Sequence, residues 1–160
     1  MDLQTEYEFE ADPDTVYTML TDPEFLRRKS EDAGHSDISV EVDGGRIVCR
    51  RNVAVDVPGA LKKILSPTNT VTQTDVWDEP VDGVRRGTWK VDIKGVPISL
   101  SGAMELAADD NGGSVETITG RIKASVPLVG GKLEKLGYSN FLDQTAQEQD
   151  FSNRWLAGKV

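Results

Sequence analysis

The chain has 160 residues, of which 38% are hydrophobic, so it is long enough for one domain with a buried core and short for two. Its 27 acidic residues outnumber 18 basic ones, and the net charge of -9 disfavours nucleic-acid partners and anionic membrane surfaces. The single cysteine, Cys49, excludes an intramolecular disulfide. No apolar run approaches the ~18 residues of a membrane-spanning helix, and the N-terminus lacks a signal-peptide pattern. We expect one cytoplasmic domain over residues 1–160, a monomer or weak homodimer without stable membrane insertion.

The N-terminal part of the chain predicts a strand followed by two short helices. From Leu3 to Ala11, apolar side chains alternate with polar and acidic ones, which is the period of a strand with one solvated face. Asp12-Pro13 and Asp22-Pro23 each combine an N-capping aspartate with a proline suited to the first helical position. We expect the first helix to end near Thr21 and the second at Gly34, a typical C-terminal stop.

Residues 36–125 are dominated by the alternating pattern of β-strands. Turn-forming residues separate the apolar runs, and Asp43-Gly44-Gly45 is a clear hairpin signal. The apolar cluster between Val55 and Thr68 predicts a long connection with one helical turn. The expected strands of this region begin at Ser36, Arg46, Thr70, Val84, Val96 and Ser114, which gives seven strands with the first one.

The C-terminal part predicts one long amphipathic helix that continues to about Trp155, because its apolar side chains recur every three or four residues. Pro127 is suited to a helix start, whereas Gly130 and Gly131 cost about 2 kcal/mol of helix propensity relative to alanine. Two explanations for these glycines remain open. They allow either close packing of the helix on the sheet or a hinge beside an internal cavity.

Together these elements predict an α+β fold in the order β-α-α-β6-α. One face of the curved antiparallel sheet is apolar and must be covered, and only the C-terminal helix is long enough to cover it. We therefore expect a seven-stranded sheet wrapped around that helix. Because the sheet is curved, a ligand-sized space is expected between the two layers.

Several motifs resemble a known superfamily. The segment Ala11-Asp-Pro-Asp-Thr-Val-Tyr-Thr-Met-Leu-Thr-Asp-Pro23 and the order of elements are similar to the START-like, or SRPBCC, helix-grip superfamily, which includes the birch-pollen allergens. Within it, Val57–Leu65, Trp77, Gly95–Pro97 and Pro127–Glu134 resemble a family of small bacterial proteins that carry a domain of unknown function. The resemblance extends over essentially the whole chain. It implies a cavity that holds lipids, sterols, polyketides or other apolar molecules, with functions from carriage to cyclisation.

Strand parity predicts which side chains face this cavity. Arg51 shares the face of its apolar neighbours, and Asp75 shares the face of Trp77 on the next strand, so we expect a buried Arg51–Asp75 pair. The pair either closes one end of the sheet or anchors a ligand carboxylate. The expected lining consists of Arg51, Val53, Asp75, Trp77, Trp89, Val91, Ile93, Leu100, Met104, Ile118, Tyr138 and Phe141.

Access to the cavity is predicted beneath two flexible segments. One is the connection that contains Pro58 and Leu61, and the other is the start of the last helix at Gly130 and Gly131. Both segments can open without unfolding the sheet.

The sequence identifies no catalytic, metal or cofactor site. His35 is the only histidine, and nothing places a nucleophile or further ligands beside it. Cys49 lies among apolar residues and is interpreted as a small hydrophobic side chain. Glu116 is a possible general acid, but its place beside a glycine-rich turn predicts exposure to solvent. We expect no metal and no cofactor, since the glycine pairs also lack the spacing of a phosphate-binding loop.

Three functional hypotheses follow. The first is a non-catalytic protein that binds or carries a small apolar or amphipathic molecule in the cavity. The second is an enzyme of the polyketide cyclase or dehydratase kind, for which Arg51, Asp75, Tyr7 and Tyr138 are the candidate residues. The third is an interaction module that contacts another protein chain.

Overall fold

The computed structural model describes all 160 residues and contains one antiparallel sheet and three α-helices. A single 3-10 turn, Gly59–Leu61, lies in the predicted connection between the third and fourth strands. The elements are β1 (Asp2–Phe9), α1 (Pro13–Leu20), α2 (Pro23–Asp32), β2 (Ser36–Asp43), β3 (Arg46–Ala54), β4 (Thr68–Trp77), β5 (Arg85–Ile93), β6 (Ile98–Ala108), β7 (Ser114–Ala124) and α3 (Gly130–Leu156).

The sheet has the order β1-β7-β6-β5-β4-β3-β2, and every neighbouring pair is antiparallel. Consecutive strands from β2 to β7 pair as a meander, while β1 returns to pair with β7. The curved sheet and the long α3 form an α+β helix-grip fold, so the predicted fold class is confirmed.

The two Asp-Pro pairs start helices in the expected way. Asp12 accepts a hydrogen bond from the backbone N–H of Thr15 at 3.3 Å, and Asp22 accepts one from Glu24 at 2.9 Å. Each proline occupies the first turn, where its missing N–H costs nothing. These caps fix the positions of α1 and α2 between β1 and β2.

Aromatic side chains join α2 to the C-terminal part of α3. The Phe25 ring lies 5.7 Å from Phe151 and 5.4 Å from Trp155, measured between ring centroids. Phe25 and Phe151 are almost fully buried in the main apolar core. This packing holds the end of α3 against α2 and leaves the middle of the helix opposite the central strands.

A glycine in the middle of the sheet, Gly120, creates space for a tryptophan. Gly102 and Gly120 are register partners on β6 and β7, and a Cβ atom at Gly120 would approach the Trp89 ring to 2.5 Å. The Trp89 indole donates a hydrogen bond to the Thr119 carbonyl at 3.0 Å. On its other side the ring stacks on Phe141 of α3, with centroids 6.4 Å apart. The indole therefore lies between the sheet and the helix.

The start of α3 differs from the sequence-based expectation. The helix begins at Gly130, so Pro127 precedes it, and no side chain caps its N-terminus. A Cβ atom at Gly130 would lie 3.2 Å from the Ala124 carbonyl oxygen, whereas one at Gly131 would meet no atom within 4 Å. Close packing thus explains Gly130 and does not explain Gly131. Leu128, just before the helix, is fully exposed and has a positive φ of 70°.

Candidate functional site

A cavity of about 210 Å³ lies between the sheet and α3. Most of its wall is apolar, and polar and charged side chains from β1, α2, β3, β4, β7 and α3 also border it. Apolar wall with a few polar groups is the usual composition of a small-molecule site. For comparison, an engineered apolar cavity of ~150 Å³ binds benzene, so this cavity has room for a molecule somewhat larger than benzene.

The structure brings nearly all of the predicted lining residues together around this cavity. The exception is Tyr138, which is half-buried and packs against the main apolar core. Gly137 and Phe141 of the same helix border the cavity, and one helical step of about 100° turns Tyr138 away from it. The predicted residues that do border the cavity are Arg51, Val53, Asp75, Trp77, Trp89, Val91, Ile93, Leu100, Met104, Ile118 and Phe141.

A network of charged and polar side chains, centred on Glu148 of α3, forms part of the wall. Lys29 of α2 lies 3.5 Å from the Glu148 carboxylate. The Tyr7 hydroxyl donates a hydrogen bond to Glu148 at 3.0 Å, and the Gln144 amide donates another at 2.8 Å. Tyr7, Lys29, Gln144 and Glu148 all border the cavity. We call these four side chains the Glu148 network.

The Glu148 network keeps one half-buried carboxylate ionised. Burial opposes ionisation of Glu148, but Lys29 and the hydrogen bond from Gln144 outweigh it and hold its pKa below the ordinary range. The same contact has the opposite effect on Tyr7. Burial, followed by the charge of Glu148, raises the pKa of the Tyr7 phenol, which therefore stays protonated and donates.

The prediction that Glu116 is exposed to solvent is wrong. Glu116 is 6% exposed, lies directly opposite Tyr7 in the β1–β7 register and borders the cavity. The Gly-rich turn ends at Gly113, and two further residues carry the strand far enough for β1 and α3 to cover this position. Burial and then the charge of Asp75 raise the pKa of Glu116 to about 8. This carboxyl is therefore neutral at pH 7.

The expected Arg51–Asp75 ion pair is also wrong in detail, although both side chains border the cavity. Gln73 lies between them: its amide oxygen accepts from Arg51 at 3.4 Å, and its amide nitrogen donates to Asp75 at 3.1 Å. Gln73 is two residues from Asp75 on the same face of β4, which is why it can occupy the space between the charges. Burial raises the pKa of Asp75.

His35 does not interact with helix carbonyls as a histidine at this position usually would. Its Nδ1 atom is buried without a hydrogen-bond partner, beside a smaller cavity of about 30 Å³ that Cys49 and Ser30 also border. Burial, and then the charge of Arg51, lowers the pKa of His35 to about 4. The imidazole is therefore neutral at pH 7. Cys49 is buried, in agreement with its interpretation as a small hydrophobic side chain.

None of the predicted gate residues borders the cavity directly. Pro58 is exposed, while Leu61 is fully buried in a second apolar cluster with Leu65 and Leu133. Leu65 and Leu133 do border the cavity, so this cluster connects the β3–β4 loop and the first turns of α3 to the cavity wall. A gate formed by Pro58, Leu61, Gly130 and Gly131 stays a prediction.

Sequence reasoning missed Lys29, Gln144 and Glu148 as cavity residues. For Glu148, helical spacing indicated a position facing the cavity. Thr145 follows Phe141 by four residues and Glu148 follows Thr145 by three, so the three side chains share one face of α3. Charged residues on an amphipathic helix are ordinarily assigned to solvent, which hid this signal. Lys29 had no such signal, since it reaches the cavity only because α2 packs beside α3.

A sequence model of the family described as "Protein of unknown function (DUF2505)" matches residues 4–156. The chain belongs to this family. The uncharacterized protein Rv0481c of Mycobacterium tuberculosis is 26% identical over 106 residues, which are 66% of this chain and 61% of that protein. The aligned segment thus spans less than two thirds of this mycobacterial relative.

Solved structures with the same architecture confirm that the DUF2505 chain has a START-like fold. TTHA0849 from Thermus thermophilus covers 100% of both chains with a TM-score of 0.65 and 16% identity. The ZhuI aromatase/cyclase from Streptomyces sp. R1128 covers 100% of this chain and 99% of its own, with a TM-score of 0.62 and 19% identity. A STAR-related lipid transfer protein from Xanthomonas axonopodis covers 92% and 85%, with a TM-score of 0.59 and 14% identity. At these identities the likeness shows the fold alone.

No helix has both the length and the apolar character needed to cross a membrane.

Proposed function

We propose that this DUF2505 protein binds and shelters a small hydrophobic or amphipathic molecule in the cavity between the sheet and α3. In this proposal it acts in the cytoplasm as a single-domain carrier, either a monomer or a weak homodimer. The observation that carries the proposal is the cavity of about 210 Å³ with a largely apolar wall and a few buried polar side chains. The apolar wall would supply affinity, and the polar groups would orient the ligand.

The wall offers a rigid aromatic side chain and flexible aliphatic contacts to such a ligand. Trp89 is held between the sheet and Phe141, so its ring is fixed before a ligand arrives. Met104 and Ile118 are register partners on β6 and β7 and both border the cavity. A rigid aromatic surface beside adaptable aliphatic side chains suits a ring system or a bent chain. One fold neighbour is named as a lipid transfer protein, which agrees with this class of ligand.

A cavity-filling variant tests the proposal. Val91 borders the cavity on β5, and Val91→Trp should occupy the space in which the ligand binds. Val76→Trp is a matched control, because Val76 lies exposed on the neighbouring strand β4. With the neutral fluorescent probe N-phenyl-1-naphthylamine, we expect the control to bind as the unmodified protein does and Val91→Trp to bind at least tenfold more weakly. Equal binding by both variants would show that the probe occupies another site.

A specific observation favours an enzyme as the second candidate. Two carboxyl groups that border one cavity have opposite shifts: the pKa of Glu116 is raised to about 8 and that of Glu148 is lowered. One protonated acid and one ionised base in a single site are what general acid–base chemistry requires. A fold neighbour is named as an aromatase/cyclase, which agrees with a polyketide cyclase or dehydratase kind of activity.

Native mass spectrometry of protein purified gently from its source separates the candidates. A retained small molecule whose mass does not change when it is incubated with the protein would support carriage. A retained molecule that the protein converts on incubation would support the enzyme, and a stoichiometric partner chain with no small molecule would support the interaction module.

A further inference from the structure

The Glu116 carboxyl is a polar group of the cavity wall that no other side chain engages. It makes no hydrogen bond and no ion pair, it is 6% exposed, and it borders the cavity. Its oxygens are not sealed in the core, because His35 Nδ1 is the one polar side-chain atom that is fully buried without a partner; they open onto the cavity instead. Polar groups removed from bulk water usually have a hydrogen-bond partner. An unpartnered carboxyl at an apolar cavity is therefore a group that a bound molecule can satisfy.

The protonation state of this carboxyl decides what it can recognise. Burial and the nearby charge of Asp75 raise the pKa of Glu116 to about 8, while Lys29 opposes the shift. A protonated carboxyl has one O–H donor, which an ionised carboxylate lacks. At neutral pH Glu116 can therefore donate a hydrogen bond into the cavity.

The two opposite charges nearest to Glu116 on the helices are already paired with each other. Lys29 lies 3.5 Å from the Glu148 carboxylate, so this pair offers no free counter-ion to an ionised ligand group. An uncharged oxygen avoids the large cost of burying an unpaired charge. The titratable groups that act on Glu116 or pair with it are Tyr7 from β1, Lys29 from α2, Asp75 from β4 and Glu148 from α3, and its neighbour on β6 is the apolar Leu106.

We propose that the cavity selects molecules with an apolar body and a neutral oxygen acceptor, such as a ketone carbonyl, which accepts a hydrogen bond from Glu116. The apolar body packs against the wall formed by Trp89 and its neighbours. This assignment rests on the proposed function and names the ligand class for the same cavity. It replaces the alternative in which Arg51 anchors a ligand carboxylate.

A matched series of two-ring probes tests the proposal by isothermal titration calorimetry at pH 6.5. The series consists of 2-acetylnaphthalene, 2-ethylnaphthalene, 2-naphthoate and 2-(aminomethyl)naphthalene, which share one body and differ in the polar group. We expect the ketone to bind about three- to tenfold more tightly than the hydrocarbon, the range that one neutral hydrogen bond provides. The carboxylate and the ammonium compound should bind more weakly than the ketone.

Two substitutions of Glu116 separate recognition from folding. Glu116→Leu removes the donor, so the advantage of the ketone over the hydrocarbon should disappear while the hydrocarbon still binds. Glu116→Gln keeps an N–H donor and should restore the advantage. In the unmodified protein the ratio of the affinity for the ketone to that for the hydrocarbon should fall as the pH rises through about 8. In Glu116→Gln this ratio should not change with pH. This pH comparison needs only the unmodified protein and the conservative variant.

The outcomes distinguish this proposal from the proposed function. If the hydrocarbon and the ketone bind equally well, ligand binding stands and recognition by Glu116 is wrong. If 2-naphthoate binds most tightly and Arg51→Met removes that preference, the carboxylate anchor at Arg51 is right instead. If no member of the series binds, the proposed function fails and this inference fails with it.

Discussion

At the scale of single residues, the protein gives similar side chains different properties through their surroundings. Glu116 and Glu148 are both glutamates beside the same cavity, yet only Glu148 has a cationic neighbour within 4 Å and two hydrogen-bond donors. Glu116 has burial and a nearby carboxylate instead. The environment, and not the residue type, therefore decides which of the two is charged at pH 7.

Glu116 should make the stability of the protein depend on pH. Between the usual glutamate pKa and about 8, the unfolded chain loses this proton while the folded protein keeps it, so stability falls as the pH rises. Glu116→Gln removes this effect. Its free energy of unfolding relative to the unmodified protein should increase from pH 5 to pH 8 by up to about 1.4 kcal/mol per pH unit, measured by urea denaturation.

Glu6→Gln is the control for this measurement, because Glu6 is an exposed glutamate on the adjacent strand β1. Its effect on the free energy of unfolding should stay within about 0.5 kcal/mol over the same pH range. If the two variants showed the same pH dependence, Glu116 would not be a neutral buried acid.

At the scale of elements, the first turn of α3 has poor helix propensity and one position, Gly131, that packs against nothing. The helix has no N-terminal capping side chain and begins with two glycines, of which Gly131 meets no neighbouring atom within 4 Å. Through Leu133 this turn contacts the apolar cluster that continues to the cavity wall. A segment of this kind can open locally at low cost, which is what the predicted gate requires.

Gly131→Ala should stabilise the protein by about 0.5–1 kcal/mol, because alanine is the better helix former and the added methyl group meets no atom. If the first turn of α3 is the gate, the same change should also slow the uptake of N-phenyl-1-naphthylamine measured by stopped flow. Gly130→Ala is less suitable, since its methyl group would approach the Ala124 carbonyl oxygen to 3.2 Å.

Ser139→Ala is the matched control for this experiment. Ser139 is exposed on α3, away from the first turn and outside the cavity wall, so it changes helix propensity without touching the gate. It should stabilise the helix slightly and leave the uptake rate unchanged. Equal uptake rates in all three proteins would place the entrance elsewhere.

The elements were largely predictable from the sequence because their signals are local. Asp12-Pro13 and Asp22-Pro23 indicate where helices start. From Ser36 onwards, turn residues separate runs of alternating apolar and polar residues, which are the strands. The Glu148 network was not predictable, because it joins β1, α2 and α3, and no local pattern brings Lys29 to Glu148. Parity predicted that Arg51 and Asp75 face inwards, but it could not place Gln73 between them.

At the scale of the whole molecule, the first and last strands of the chain are neighbours in one sheet. β1 pairs with β7 along its full length, so the meander from β2 to β7 is joined to the first strand. At the Glu148 network, Tyr7 of β1 and Lys29 of α2 both contact the last helix. These long-range contacts join β1 and α2 to the C-terminal part of the fold.

We therefore expect residues 1–160 to unfold as one domain in a single cooperative transition. Far-UV circular dichroism reports the helices and near-UV circular dichroism reports the packed tryptophans, and their urea denaturation curves should coincide. Asp75→Asn leaves the β1–β7 pairing intact and should shift both curves together. Two separate transitions would indicate that the N-terminal segment and the meander are distinct folding units.

The position of Trp89 has a practical consequence. Its indole forms part of the cavity wall and is fixed by the Thr119 carbonyl and by Phe141, whereas Trp155 lies at the far end of the last helix against Phe25. A molecule that enters the cavity meets Trp89, and also Trp77, which borders the same cavity, but not Trp155. The intrinsic emission of the protein can therefore report occupancy without a label.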